Sequence, residues 1–121
     1  MTIKTIGRCL GEAHDGSLWF FCNGCDAPHS LKVGAGSGPR WGYNGNPSAP
    51  TFTPSVLVRG TQRLNDQEHQ VVMGGGSVEP RPFVCHSFVT DGRIQYLADS
   101  THPLAGQTVD LPDWEAAWSK W

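Results

Sequence analysis

At 121 residues the chain suits one domain, and its net charge of −2 excludes the strongly basic balance of a dedicated nucleic-acid binder. Fifteen Gly and nine Pro shorten any helix and favour short strands joined by turns. Residues 61–121 carry four basic and eight acidic side chains, against five and three in residues 1–60, which also speaks against contact with an anionic membrane.

In chain order, Ile3 and Ile6 anchor a first strand over residues 1–10, and Asp15-Gly16 marks a turn. Ser17 to Cys22 reads as an aromatic-rich strand that runs into a Cys-Asn-Gly-Cys turn, where Asn23 and Gly24 tolerate positive φ. His29 to Val33 is the return strand. Residues 34–50 are loop-like, with a short strand around Trp41 and Tyr43. Thr51 to Arg59 is extended, and Pro54 confines its first part to an edge or an irregular stretch. Residues 60–82 read as a flexible or variable insert, with a modest strand over Gln67 to Met73.

The strongest local signal is the β-hairpin at 83–97 around Asp91-Gly92. A two-residue turn there sets Val89 opposite Ile94 and Ser87 opposite Tyr96. Cys85 shares that face, and His86 and Phe88 point to the other. Asp113 caps a short C-terminal helix over 113–121, on which Trp114, Trp118 and Trp121 fall on one face. No apolar run reaches the length of a signal peptide core or a membrane span, so cytoplasm is the expected compartment. Thiols stay reduced there, which favours metal ligation over disulfides.

Cys22 and Cys25 form a C-x2-C pair, His29 follows, and Cys85-His86 come sixty residues later. Thiolates and imidazole at such spacing suit Zn²⁺, while a buried or disulfide-bonded pair is the plainer alternative. Neighbours on a strand face opposite ways, so one of Cys85 and His86 reaches a given metal. The expected ligands are Cys22, Cys25, Cys85 and His29, with His86 as the alternative fourth. Cys9 reads as a small buried hydrophobe, and His14 and His69 as solvated. Asp99 and His102 have the types of a general-base pair, though such residues more often satisfy loop backbone.

Three segments carry a resemblance: Trp19–His29, the run Pro50-Thr51-Phe52-Thr53-Pro54-Ser55-Val56-Leu57, and the stretch from Cys85-His86-Ser87-Phe88 through Ser100-Thr101-His102 to Val109. Together they resemble a family of small uncharacterised proteins of phages, prophages and bacterial genomes, some labelled "ammonia monooxygenase". A copper or iron oxygenase needs ligation rich in His or carboxylate, which this mainly Cys set does not offer. The resemblance implies no activity, and it draws attention to Cys22, Cys25, His29, Cys85, His86 and His102. Where family members often have Pro before the knuckle Gly, this chain has Asn23.

The sequence thus leads to a small, mainly β domain with a zinc-ribbon-like knuckle and a short C-terminal helix. The expected role is a non-enzymatic module that meets a protein partner, with nucleic acid and membrane disfavoured. The alternative is a zinc hydrolase in which a metal-bound water attacks and His86 or His102, with Asp99, carries the proton.

Overall fold

The computed structural model describes residues 3–120 and contains two antiparallel sheets whose inner faces meet. The first holds β1 (Ile3–Ile6), β2 (Leu10–Ala13), β3 (Leu18–Cys22) and β4 (Ala27–Leu31), in that order. The first strand, expected over residues 1–10, ends at Ile6 because Gly7 turns with φ +56° and lies against Pro47, where a Cβ would meet the Pro47 carbonyl carbon at 2.7 Å. The second sheet is β5 (Gly42–Tyr43), β6 (Phe52–Thr61), β7 (Pro82–Thr90), β8 (Arg93–Tyr96) and β9 (Thr108–Asp110). The short β9 gave too brief a pattern to be read in advance.

Alternation builds the core. Leu10, Leu18, Phe20 and Cys22 from the first sheet meet Phe52, Val56, Cys85, Val89, Ile94 and Tyr96 from the second, all 3% exposed or less. Phe20 stacks on Phe52 with centroids 6.2 Å apart. Burying one such side chain contributes roughly 1.5–3 kcal/mol. The hairpin register matches the turn: Ser87 faces Tyr96 and Val89 faces Ile94.

Helix α2 (Trp114–Lys120) covers the outer face of the first sheet. Trp114 is fully buried against Gly11, stacks on Trp118 at 5.2 Å, and Trp118 meets Trp19 edge-on. Trp121, the expected third member of this face, lies outside the described residues. Asp113 caps the helix, its carboxylate accepting from Ala116 N at 3.0 Å.

The 60–82 segment is a departure from expectation. Gln67 to Met73 is not a strand but part of helix α1 (Asp66–Met73). Asn65 and Glu68 form a reciprocal capping box, and Arg81 grips the Glu68 carboxylate through two contacts of 2.8 Å. The Asn-x-x-Glu spacing is legible in the sequence and outweighs the β-branched residues near the helix end. No described helix is long and apolar enough to cross a membrane.

Candidate functional site

Two side-chain clusters sit on opposite faces of β7. The inner one is the Cys/His group. Residues Cys22, Cys25, His29 and Cys85 each offer a ligand atom, and these atoms all lie within 4.8 Å of one another. β3 delivers Cys22, the turn carries Cys25, β4 returns His29, and the inward face of β7 adds Cys85. The turn closes through Cys25 N, which donates to Cys22 Sγ at 3.4 Å. The expected positive φ falls at Asp26, not at Asn23 or Gly24. Gly24 is needed for space instead, since a Cβ there would meet the His102 ring at 2.4 Å.

The donor set fits a metal. Three sulfurs and one imidazole match the preferences of a tetrahedral, thiophilic cation. His29 Nε2 is buried and has no hydrogen-bond partner among the described residues, a cost that a bond to a cation would remove. The Cys25 and Cys85 thiols hydrogen-bond towards Cys22 and hold its pKa far below the ordinary thiol range. The same bonds push Cys25 up to about 12 and raise Cys85 further, each with burial adding to the rise. Tyr96 closes the base of the group, its hydroxyl 3.2 Å from Cys22 Sγ and accepting from Gly24 N at 3.1 Å.

His86 is not in this cluster. It follows Cys85 on a regular strand, so its ring points to the outer face, where it meets Ser55 and Asp99. His86 Nε2 lies 3.2 Å from Ser55 Oγ, and Nδ1 lies 3.1 Å from one Asp99 carboxylate oxygen and 3.3 Å from the other. An ionised carboxylate only accepts, so Nδ1 carries the hydrogen and donates to Asp99. Nε2 is then free to accept the Ser55 hydroxyl proton. This is the order nucleophile, base, orienting carboxylate.

Local structure explains each position. On β6, Phe52 faces Val89 and Val56 faces Ser87, so three residues of β6 stand opposite Phe88 alone. The irregular stretch contains the cis Thr53–Pro54 peptide. It bulges the strand and brings the Ser55 hydroxyl beside His86. Trp41 Nε1 fixes the bulge by donating to Ser55 O at 2.9 Å. Asp99 is placed by the residue after it. Ser100 Oγ accepts from His86 N at 3.0 Å and donates to His86 O at 3.1 Å, locking the 97–101 loop alongside β7. Each such bond contributes about 1 kcal/mol net. The site is open: the His86 side chain is 25% exposed and that of Asp99 is 58% exposed.

His102 does not pair with Asp99. It is 8% exposed and packs edge-on against Tyr96 with centroids 4.5 Å apart. Its Nδ1 accepts from Leu104 N at 3.2 Å. It covers the Cys22–Cys25 turn at Gly24, away from the outer face. Cys9 is fully buried as expected, and His14 and His69 are exposed. Ser55 was missed as a functional residue, because a lone Ser after Pro carries no nucleophile motif. Its only signal was membership of the Pro50–Leu57 run.

The two clusters define a small β protein with a serine–histidine–aspartate array on one face of a strand and a Cys₃His knot on the other. Residues 4–97 match the model of the BubE family, described as "bacterial ubiquitination-like system serine protease". The match spans most of the chain, which therefore belongs to this family. No curated protein and no solved structure matches it.

Proposed function

We propose that this protein is a serine protease in which Ser55 is the nucleophile, His86 the general base and acid, and Asp99 the orienting carboxylate. The observation that carries this reading is the continuous path from Ser55 Oγ through the His86 ring to Asp99. Ser55 Oγ attacks the carbonyl carbon of an amide, and its proton passes to His86 Nε2. The imidazolium that forms is stabilised by Asp99 and gives the proton to the departing amine. Water, deprotonated by His86, then attacks the acyl carbonyl, and His86 returns the proton to Ser55 Oγ as the carboxylic acid leaves. Membership of the family supports an amide bond in a protein of a bacterial ubiquitination-like system as the target.

Cys22, Cys25, His29 and Cys85 would hold Zn²⁺ as a structural ion. Four protein donors fill a tetrahedral shell and leave no position for a reacting water. The bond set would tie the β3–β4 turn to the central strand that carries His86. This weighs against a zinc hydrolase, and His102 is too far inside to serve one.

The reading as a non-enzymatic interaction module draws on the closed ligand set and on Val71, Val72 and Met73 of α1, which are 45%, 43% and 82% exposed. It leaves the Ser55–His86–Asp99 path without a purpose. Labelling with a fluorophosphonate, which reacts with activated serines, separates the two. Wild-type protein should be labelled at Ser55, and Ser55→Ala and His86→Ala should not. A wild-type protein that stays unlabelled, while correctly folded, would remove the protease reading.

A further inference from the structure

β6 has an unpaired edge that leads directly to Ser55. Antiparallel neighbours that stand opposite each other direct their main-chain groups either at each other or both away. Val84 and His86 use theirs on the far side of β7. Thr101 N donates to Val84 O at 2.9 Å and Leu97 N to His86 O at 2.8 Å. Val84 N donates to Thr101 Oγ1 and His86 N to Ser100 Oγ, both at 3.0 Å. Their partners on β6 are Arg59 and Leu57. These two therefore direct N–H and C=O away from β7, towards the opposite edge.

β5 pairs with β6 only at Phe52 and Thr53. Among the described residues, no strand pairs with Leu57 or Arg59 on that edge. Further along lies a cleft of about 480 Å³, lined by Val58, Thr61 and Arg63 on one side and by Ala27 and His29 of β4 on the other. Cys25, Phe83 of β7 and Thr101 complete the lining, so the cleft opens over the inner face of β6 and β7 next to the Cys₃His group. At the other end of the same edge stands Ser55, with its carbonyl held by Trp41.

We infer that this edge is the substrate-docking strand: an extended, unfolded segment of polypeptide adds to β6, pairs with the main chain of Leu57 and Arg59, and is led to Ser55. The inference rests on the protease reading for its direction, but the strand addition itself is a separate property. Unpaired edge N–H and C=O groups are a template for another strand. Main-chain pairing is indifferent to side-chain sequence. A segment whose main chain is already paired within a folded substrate cannot add to β6, so the acceptable substrates are unfolded segments, termini and extended linkers.

Amide hydrogen exchange on full-length Ser55→Ala protein tests this, with excess casein as an unfolded polypeptide probe. Without casein, the Leu57 and Arg59 amides should exchange at least tenfold faster than Val58, which faces Cys85 in the ladder. With casein, both should slow by tenfold or more. Amides already slow in the free protein, or unchanged by casein, overturn the inference. Arg59→Pro removes one donor at an edge position that tolerates proline. In the wild-type background it should lower casein cleavage at least tenfold, with folding checked by circular dichroism. A folded Arg59→Pro protein that cleaves casein like wild type also overturns it. Failure of Ser55 to react with fluorophosphonate would instead remove the protease reading and leave the exchange result standing.

Discussion

Cys85 and His86 are consecutive on β7, yet they belong to two sites on opposite faces of one sheet: Cys85 lies with Cys22, Cys25 and His29, and His86 with Ser55 and Asp99. The strand's alternation makes this possible, and it lets the Cys₃His group lie against the same backbone that carries the His86 ring. The two neighbours should therefore fail differently. His86→Ala should lower proteolysis by about 10³-fold or more and leave the melting temperature nearly unchanged. Cys85→Ala should lower the melting temperature by about 10 °C or more. Thermal denaturation and casein cleavage on both variants decide it, and equal losses of stability would contradict the separation.

Metal removal should act like the Cys85 change. Prolonged treatment with a strong chelator, or Cys22→Ser or Cys25→Ser, should expose the core and lower the melting temperature by a similar amount, about 10 °C. Cobalt added to the stripped protein should show the intense absorption of thiolate ligation in a tetrahedral field. A chelated protein that melts like the untreated one would argue that the Cys₃His group is not a structural centre.

Asp99→Asn keeps the shape of the array but offers an amide where His86 Nδ1 donates. The ring can then settle in the wrong tautomer, with Nε2 protonated and unable to accept from Ser55. Turnover should fall by about 10²- to 10⁴-fold with KM nearly constant. A variant with full turnover would show that another group orients the ring.

Helix α1 should be sensitive to acid. The Asn65 backbone N–H and the Arg81 guanidinium both bind the Glu68 carboxylate and hold its pKa below the ordinary value of 4.5. A lowered folded-state value means stabilisation that is complete above about pH 4.5 and lost as pH falls through the folded value. Amide exchange within α1 should quicken over that range in wild type. Glu68→Gln, which keeps the capping oxygen but not the charge, should show little of this pH dependence. An identical pH profile in both proteins would contradict the assignment.

Gly24→Ala should destabilise by roughly 1–3 kcal/mol, because its Cβ meets the His102 ring at 2.4 Å. His102→Ala removes the obstacle, so the double variant should lose less than the sum of the two single losses. Strict additivity in denaturant unfolding would show that Gly24 serves the turn by conformation alone.

The features legible from the sequence were those whose partners are close in the chain or fixed by alternation. The C-x2-C turn, the Asp91-Gly92 hairpin with its register, and the opposite facing of Cys85 and His86 all follow from local geometry. The capping box of α1 was equally local, but the apolar Val71 and Val72 suggested a strand. Ser55 was invisible because its role depends on a partner 31 residues away and on two extra residues in β6 that shift its hydroxyl towards His86. Asp99 was visible as an acid, but only the loop hydrogen bonds of Ser100 to β7 decide that it serves His86 and not His102. Chain-local stereochemistry wrote the Cys22–His29 knuckle and the hairpin; strand pairing between distant segments made the Ser55–His86–Asp99 array, because hydrogen-bond register is settled only when both strands are in place.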